Sequence, residues 1–124
     1  MAIINNLPQN RGRSVKNFYT ERFENVTSKN ITIAEDVDGG LLTIAFAKEG
    51  RGPTYGNARR VSGDVTLNRV YYGNQNYGNG ANVGMSIYTI SAKKGAVIQV
   101  YGTNRDNIEP NQNGAYILAL AKVE

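Results

Sequence analysis

The sequence predicts an all-β chain folded as an antiparallel β-sandwich, with room for one short N-terminal helix. Three observations predict it. Apolar residues alternate in twos along most of the chain, which is the period of a strand. Gly-containing turn signals interrupt these runs at regular intervals. The chain of 124 residues has the length of one domain and needs neither metal nor disulfide to bury a core. The expected organisation is an arm over residues 1–13 and a single sandwich domain over 14–124.

The strand runs are read in order. Ile31 and Ile33 alternate with Thr32 and Ala34. Leu42, Ile44 and Phe46 alternate with Thr43, Ala45 and Ala47. Asp38-Gly39-Gly40 between these runs reads as a hairpin turn. Val61, Val65 and Leu67 alternate with polar residues until the phase flips at Arg69 and resumes at Val70 and Tyr72. A flip inside a strand predicts a bulge or a corner. Val83 to Ser91 and Val97 to Tyr101 follow, joined by a tight Lys93-Lys94-Gly95 connection. Thr103 to Gly114 is a polar loop, and Ala115 to Val123 is the last strand.

Residues 15–26 admit two readings. Val15, Phe18, Tyr19, Phe23 and Val26 fall on one helical stripe that Ser14 could cap. The β-branched and aromatic content of Phe18 to Thr27 argues instead for a strand.

Composition narrows the chemistry. Cys, His and Trp all count 0, so thiolate and imidazole chemistry have no residues to run on. An enzyme built here would depend on carboxylates, Lys or Tyr. Glu35, Asp36 and Asp38 cluster, as a paired-acid hydrolase or a calcium loop would require, but the later calcium-loop ligands are missing and a solvated turn accounts for the cluster. Asp64, Asp106 and Glu109 stand apart in sequence. Tyr72 to Gly84 is Gly-rich but lacks the Lys-Ser/Thr ending of a phosphate loop. No catalytic residue, metal or cofactor is expected. The N-terminus carries no signal-peptide pattern and the longest apolar run, Tyr116 to Ala121, is too short for a membrane helix, so synthesis in the cytoplasm is expected. Asn25-Val26-Thr27 and Asn30-Ile31-Thr32 match glycosylation acceptors and are read as strand residues.

Three features remain as binding candidates. Tyr, Asn and Gly concentrate between Tyr71 and Gly84. Tyr offers contact area at low entropic cost and Asn offers adaptable hydrogen bonds, so Tyr71, Tyr72, Asn74, Asn76, Tyr77 and Asn79 form a candidate contact loop, with Tyr55 and Asn57 as neighbours. A solvated hairpin without a partner is the competing reading. From Arg51 to Lys94 six basic residues face one acidic residue, an excess of five in a chain whose net charge is +4. Arg59, Arg60 and Arg69 form the candidate basic patch, suited to nucleic acid or to an acidic glycan, or serving only solubility. Finally, Val83–Ser91 and Ala115–Val123 carry apolar residues on both faces, where an antiparallel strand usually has one wet face. Ile117, Ala119, Ala121 and Val123 are the candidate oligomer interface; a central strand under a loop is the alternative. Residues 1–13 could add a strand to a neighbouring subunit, fray, or form the domain's own first strand.

The layout of Val83 to Val123 (a strand, Lys93-Lys94-Gly95, a second strand, a polar loop and a small, apolar closing strand) resembles the end of the jelly-roll heads of the tumour necrosis factor-like and complement-head-like group. The opening Met1-Ala2-Ile3-Ile4-Asn5-Asn6-Leu7-Pro8 is similar to the start of small bacteriophage structural proteins. The resemblance covers about a third of the chain. It implies a jelly-roll-like sandwich, a homo-oligomer with a trimer favoured, and a place in a virion as fibre head, baseplate or decoration protein. Its partners would be other virion proteins or a cell-surface glycan; it implies no particular receptor site. A basic nucleic-acid-binding β-barrel is the second expectation.

Overall fold

A computed structural model describes residues 14–123 apart from 50–53, 77–80 and 105–108. The expected N-terminal arm lies outside the described residues. Eight strands follow in order: β1 (Val15–Val26), β2 (Ser28–Thr32), β3 (Val37–Glu49), β4 (Tyr55–Ser62), β5 (Val65–Asn76), β6 (Ala81–Ala92), β7 (Val97–Thr103) and β8 (Gly114–Val123). They form a five-stranded sheet, β1-β8-β3-β6-β5, and a three-stranded sheet, β2-β7-β4. All ladders are antiparallel. The two sheets form a β-sandwich in which the pairs β1–β8, β2–β7 and β3–β6 nest inside one another, so the chain traces one long antiparallel ribbon rolled until its edges meet as β3–β8 and β4–β7.

The core lies between the sheets. Leu42, Ile44 and Phe46 of β3, Tyr116, Leu118 and Leu120 of β8, and Tyr88 and Ile90 of β6 face Ile31, Ile98, Val100 and Ala58 from the smaller sheet. Phe23 stacks on Tyr116 with ring centroids 4.7 Å apart, and Phe46 meets the same ring at 4.5 Å. The Tyr116 hydroxyl donates to the Thr27 carbonyl at 2.8 Å, which also accepts the Gly102 N–H. That carbonyl sits where the chain leaves the five-stranded sheet for the three-stranded one, so a single buried tyrosine fastens the corner.

One open choice is decided and two sequence expectations are corrected. Residues 15–26, which admitted helix or strand, are strand. Register shifts fall between Asn17 and Tyr19 and between Phe23 and Val26. Each irregularity resets the alternation, so Phe18, Tyr19, Phe23 and Val26 all pack against the core without alternating, and their spacing imitates a helical stripe. Asn25, with φ 60°, takes the left-handed conformation in the second irregularity, which Asn tolerates better than most residues.

Asp38-Gly39-Gly40 is not a hairpin turn but part of β3. Gly39, with φ 72°, marks a bulge where the register jumps from Val37 to Gly40. The preceding strand β2 pairs with β7 in the other sheet instead. The run from Val61 to Leu67 is not continuous either. Gly63, with φ 81°, breaks it into β4 and β5, which belong to different sheets. The phase flip at Arg69, by contrast, is a bulge as expected: the register shifts between Arg69 and Tyr71, and Val70 stands outside the pairing, 59% exposed.

Candidate functional site

Directly paired residues in an antiparallel ladder project to the same side of the sheet. The register therefore maps the outer face of the five-stranded sheet. One row reads Arg22, Ile117, Ala45, Met85, Gly73 from β1 to β5. The next reads Thr20, Ala119, Thr43, Ile87, Tyr71, and the next Asn17, Ala121, Leu41, Thr89, Asn68. Ala115, Ala47, Val83 and Gln75 continue it at one end. Across these rows Arg22, at the β1 edge, is the only charged residue. Ile117 and Tyr71 are each 52% exposed, Met85 39% and Val123 38%. Large apolar residues left in water as a contiguous sheet face mark an interaction surface; scattered singly they would mean nothing.

The outer face of the three-stranded sheet is the opposite case. Its rows read Asn57, Tyr101, Ser28 and Arg59, Gln99, Asn30, ending on Ser62, Val97, Thr32. This face is polar, although Asn57 and Tyr101 on it are buried, and its polar rows show what the other sheet lacks.

The candidate interface residues Ile117, Ala119, Ala121 and Val123 all lie on this outer face of the five-stranded sheet. Ala121 is itself buried, and the β3 bulge places Gly40 against its carbonyl: a Cβ on Gly40 would stand 2.3 Å from that oxygen. Sequence reasoning missed most of this surface. Thr43, Ala45 and Ala47 read only as the alternate positions of a core strand, and Leu41 carried no signal of its own. Met85 and Ile87 were legible as one side of a strand apolar on both faces, but nothing linear joined them to Ile117.

The candidate contact loop divides. Residues 71–76 are strand β5 and 81–84 begin β6, paired down to Asn76 opposite Asn82, so the segment is mostly a ladder rather than a loop. Tyr77 and Asn79 lie outside the described residues. Tyr71 turns outward and lies over Gly73, where an added Cβ would meet its hydroxyl at 2.5 Å. Tyr72 turns inward. Its ring stacks on Tyr55 at 4.3 Å and its hydroxyl donates to the Thr54 carbonyl at 2.7 Å. Asn74 Nδ2 donates to the same carbonyl at 3.1 Å. Burial, with the neighbouring Tyr55, raises the Tyr72 hydroxyl to about 12. Tyr72 and Asn74 thus fasten the start of β4 to the edge of the larger sheet.

The basic patch also divides. Arg59 lies over the Tyr101 ring at 4.8 Å, with Nε donating to Gln99 at 2.7 Å and its fork 3.4 Å from Glu109. Arg69 reaches the same place from β5, 3.4 Å from Asn57 Oδ1, whose residue pairs with Tyr101. Arg60 projects to the other side of β4, with Nε donating to the Gly63 carbonyl at 2.7 Å.

Among the acids, Asp36 accepts the Lys94 N–H at 2.8 Å and Glu35 pairs with Lys122. Asp64, distant in sequence, joins Asp36 and Asp38 along one groove of about 360 Å³. No group of three or more metal-ligating residues close enough to hold an ion occurs among the described residues. Comparison of the chain with protein-family models, curated proteins and solved structures yields no match.

Proposed function

We propose that this chain is a non-enzymatic assembly module that works as a homo-oligomer built through the closing strand β8. The observation that carries the proposal is the solvent-facing side of the five-stranded sheet, uncharged across its centre, on which Ile117 stands 52% exposed. Leaving such a surface in water forgoes about 25 cal/mol for each Å² of apolar area that association would cover. The layout of Val83 to Val123 supports the narrower form of the proposal, a virion structural or receptor-binding protein such as a fibre head, baseplate or decoration protein, with a trimer favoured. Recognition of a glycan or a neighbouring virion protein would then be multiplied by the number of subunits.

The arrangement of the arginines gives less support to a nucleic-acid-binding protein. Arg59 is engaged with Glu109 and Gln99, and Arg60 turns away from Arg59 and Arg69, so the three do not line one phosphate track.

Light scattering coupled to size exclusion, with native mass spectrometry, tests the proposal. An oligomer at micromolar concentration is the expected result, and a strict monomer refutes it. Titration with single-stranded DNA at low and high salt should show no tight, salt-sensitive binding.

A further inference from the structure

Resting on the homo-oligomer reading, and departing from its trimeric form because a face packed against its own copy is two-fold, we infer that a second copy of this chain covers the whole outer face of the five-stranded sheet, so that Met85 of β6 and Tyr71 of β5 belong to the interface along with β8. The register puts Ile117, Ala45 and Met85 in one row across three adjacent strands, with Ile87 and Tyr71 beside them. β8 alone therefore cannot be covered by a flat partner without covering its neighbours.

Three physical arguments choose a second copy as the occupant. The first is size. β8 has 10 residues, about 34 Å at a strand's rise of ~3.4 Å, and five strands ~4.8 Å apart span about 24 Å. Their product, about 800 Å², is what each partner contributes to a stable interface of standard size. The second is charge. A partner carrying Lys, Glu or Asp at its centre would lose their hydration with nothing to pair them, whereas the same face on another copy keeps its charges, Arg22 and Glu24, at the β1 rim. The third is relief. Small residues such as Ala45 and Ala119 sit between the projecting Ile117, Met85 and Ile87, so two such faces can interdigitate as packed sheets do. Tyr71, half exposed at the far rim, suits the edge of such an interface.

The test uses the full chain and three variants: Ile117→Glu, Met85→Glu and, on the opposite sheet, Asn30→Glu. All three positions are solvent-accessible, and far-UV circular dichroism with thermal unfolding verifies that each variant folds. Dissociation is followed by light scattering on dilution. Both Ile117→Glu and Met85→Glu should weaken association at least about a hundredfold, because each buries an unpaired carboxylate, and Asn30→Glu should leave it unchanged. Peroxide oxidation of Met85, read by mass spectrometry, needs no folded variant. The residue should be protected in the wild-type assembly and should react once dilution dissociates it. An assembly that Ile117→Glu breaks but Met85→Glu does not, with Met85 freely oxidised, overturns this inference and leaves the closing-strand reading standing. A wild-type chain that is monomeric throughout overturns both. An assembly broken only by Asn30→Glu places the interface on the other sheet and also overturns both.

Discussion

Gly84→Ala tests how the two sheets are fastened together. Gly84 lies on the inner side of β6, paired with Phe46 of β3 and Asn74 of β5. A Cβ there would stand 2.0 Å from the Thr54 carbonyl oxygen and 2.9 Å from its carbon. Both atoms are backbone, so no side chain can swing aside; the start of β4 must move. Moving it breaks the Tyr72 and Asn74 hydrogen bonds to that same carbonyl, at 2.7 and 3.1 Å. Overpacking of a filled site costs about 1–3 kcal/mol, and each lost hydrogen bond about 0.5–1.5 kcal/mol. The expected total is about 2–6 kcal/mol, a large part of a small domain's stability. Urea unfolding followed by tyrosine fluorescence, at fixed protein concentration, reads it. Tyr72→Phe is the companion variant: it removes one bond, leaves the ring stack, and should cost about 1 kcal/mol. A Gly84→Ala chain within about 0.5 kcal/mol of wild type would refute the close approach of β4 to β6 and the fastening role of Tyr72 and Asn74.

Three further outcomes are expected. Deleting Val70 removes the one residue the β5–β6 ladder leaves unpaired, so Tyr71 stays outward and Tyr72 inward and the variant should fold with a native far-UV spectrum; deleting Asn68 instead should disrupt the edge of the sheet, since it drops a paired position. Ser86→Ala should be neutral or stabilise by up to about 1 kcal/mol in thermal unfolding, because Ser86 Oγ is buried and finds no hydrogen-bond partner among the described residues. In an alkaline spectrophotometric titration the hydroxyls of Tyr19 and Tyr72 should ionise only near pH 12, and that of Tyr116 later still, each raised chiefly by burial. Their folded-state values lie above the unfolded value near 10. The stability they contribute is therefore complete below pH 10 and is lost as pH rises through the folded values, and unfolding should set in over that window.

How far the fold was legible depends on which signals are local. Alternation marked the cores of β3, β6, β7 and β8, because a strand with one buried face must alternate wherever its ladder is regular. The Val70 bulge was legible because it displaced the alternation by one residue within a run long enough to show both phases. The β1 irregularities lie too close together to leave two clear phases, and they produced a helical spacing. Gly39 and Gly63 illustrate a further limit. Both have positive φ, and sequence marks only that the backbone is free to turn there. Whether it turns back on the same sheet, bulges, or crosses to the other sheet depends on which strands are already in place to pair.

The candidate surface divides along the same line. By itself the sequence determined that the chain is β-rich with at most one short helix, that it carries no thiol or imidazole, and that its last strand is apolar on both sides. Each follows from residue type and spacing alone. Only the tertiary structure decided that Ile117, Ala45 and Met85 share a row, that Tyr71 and Tyr72 face opposite ways, and that Arg60 turns from Arg59. A surface is a set of neighbours across strands, and strand order arises from how the ribbon rolls to bury its core.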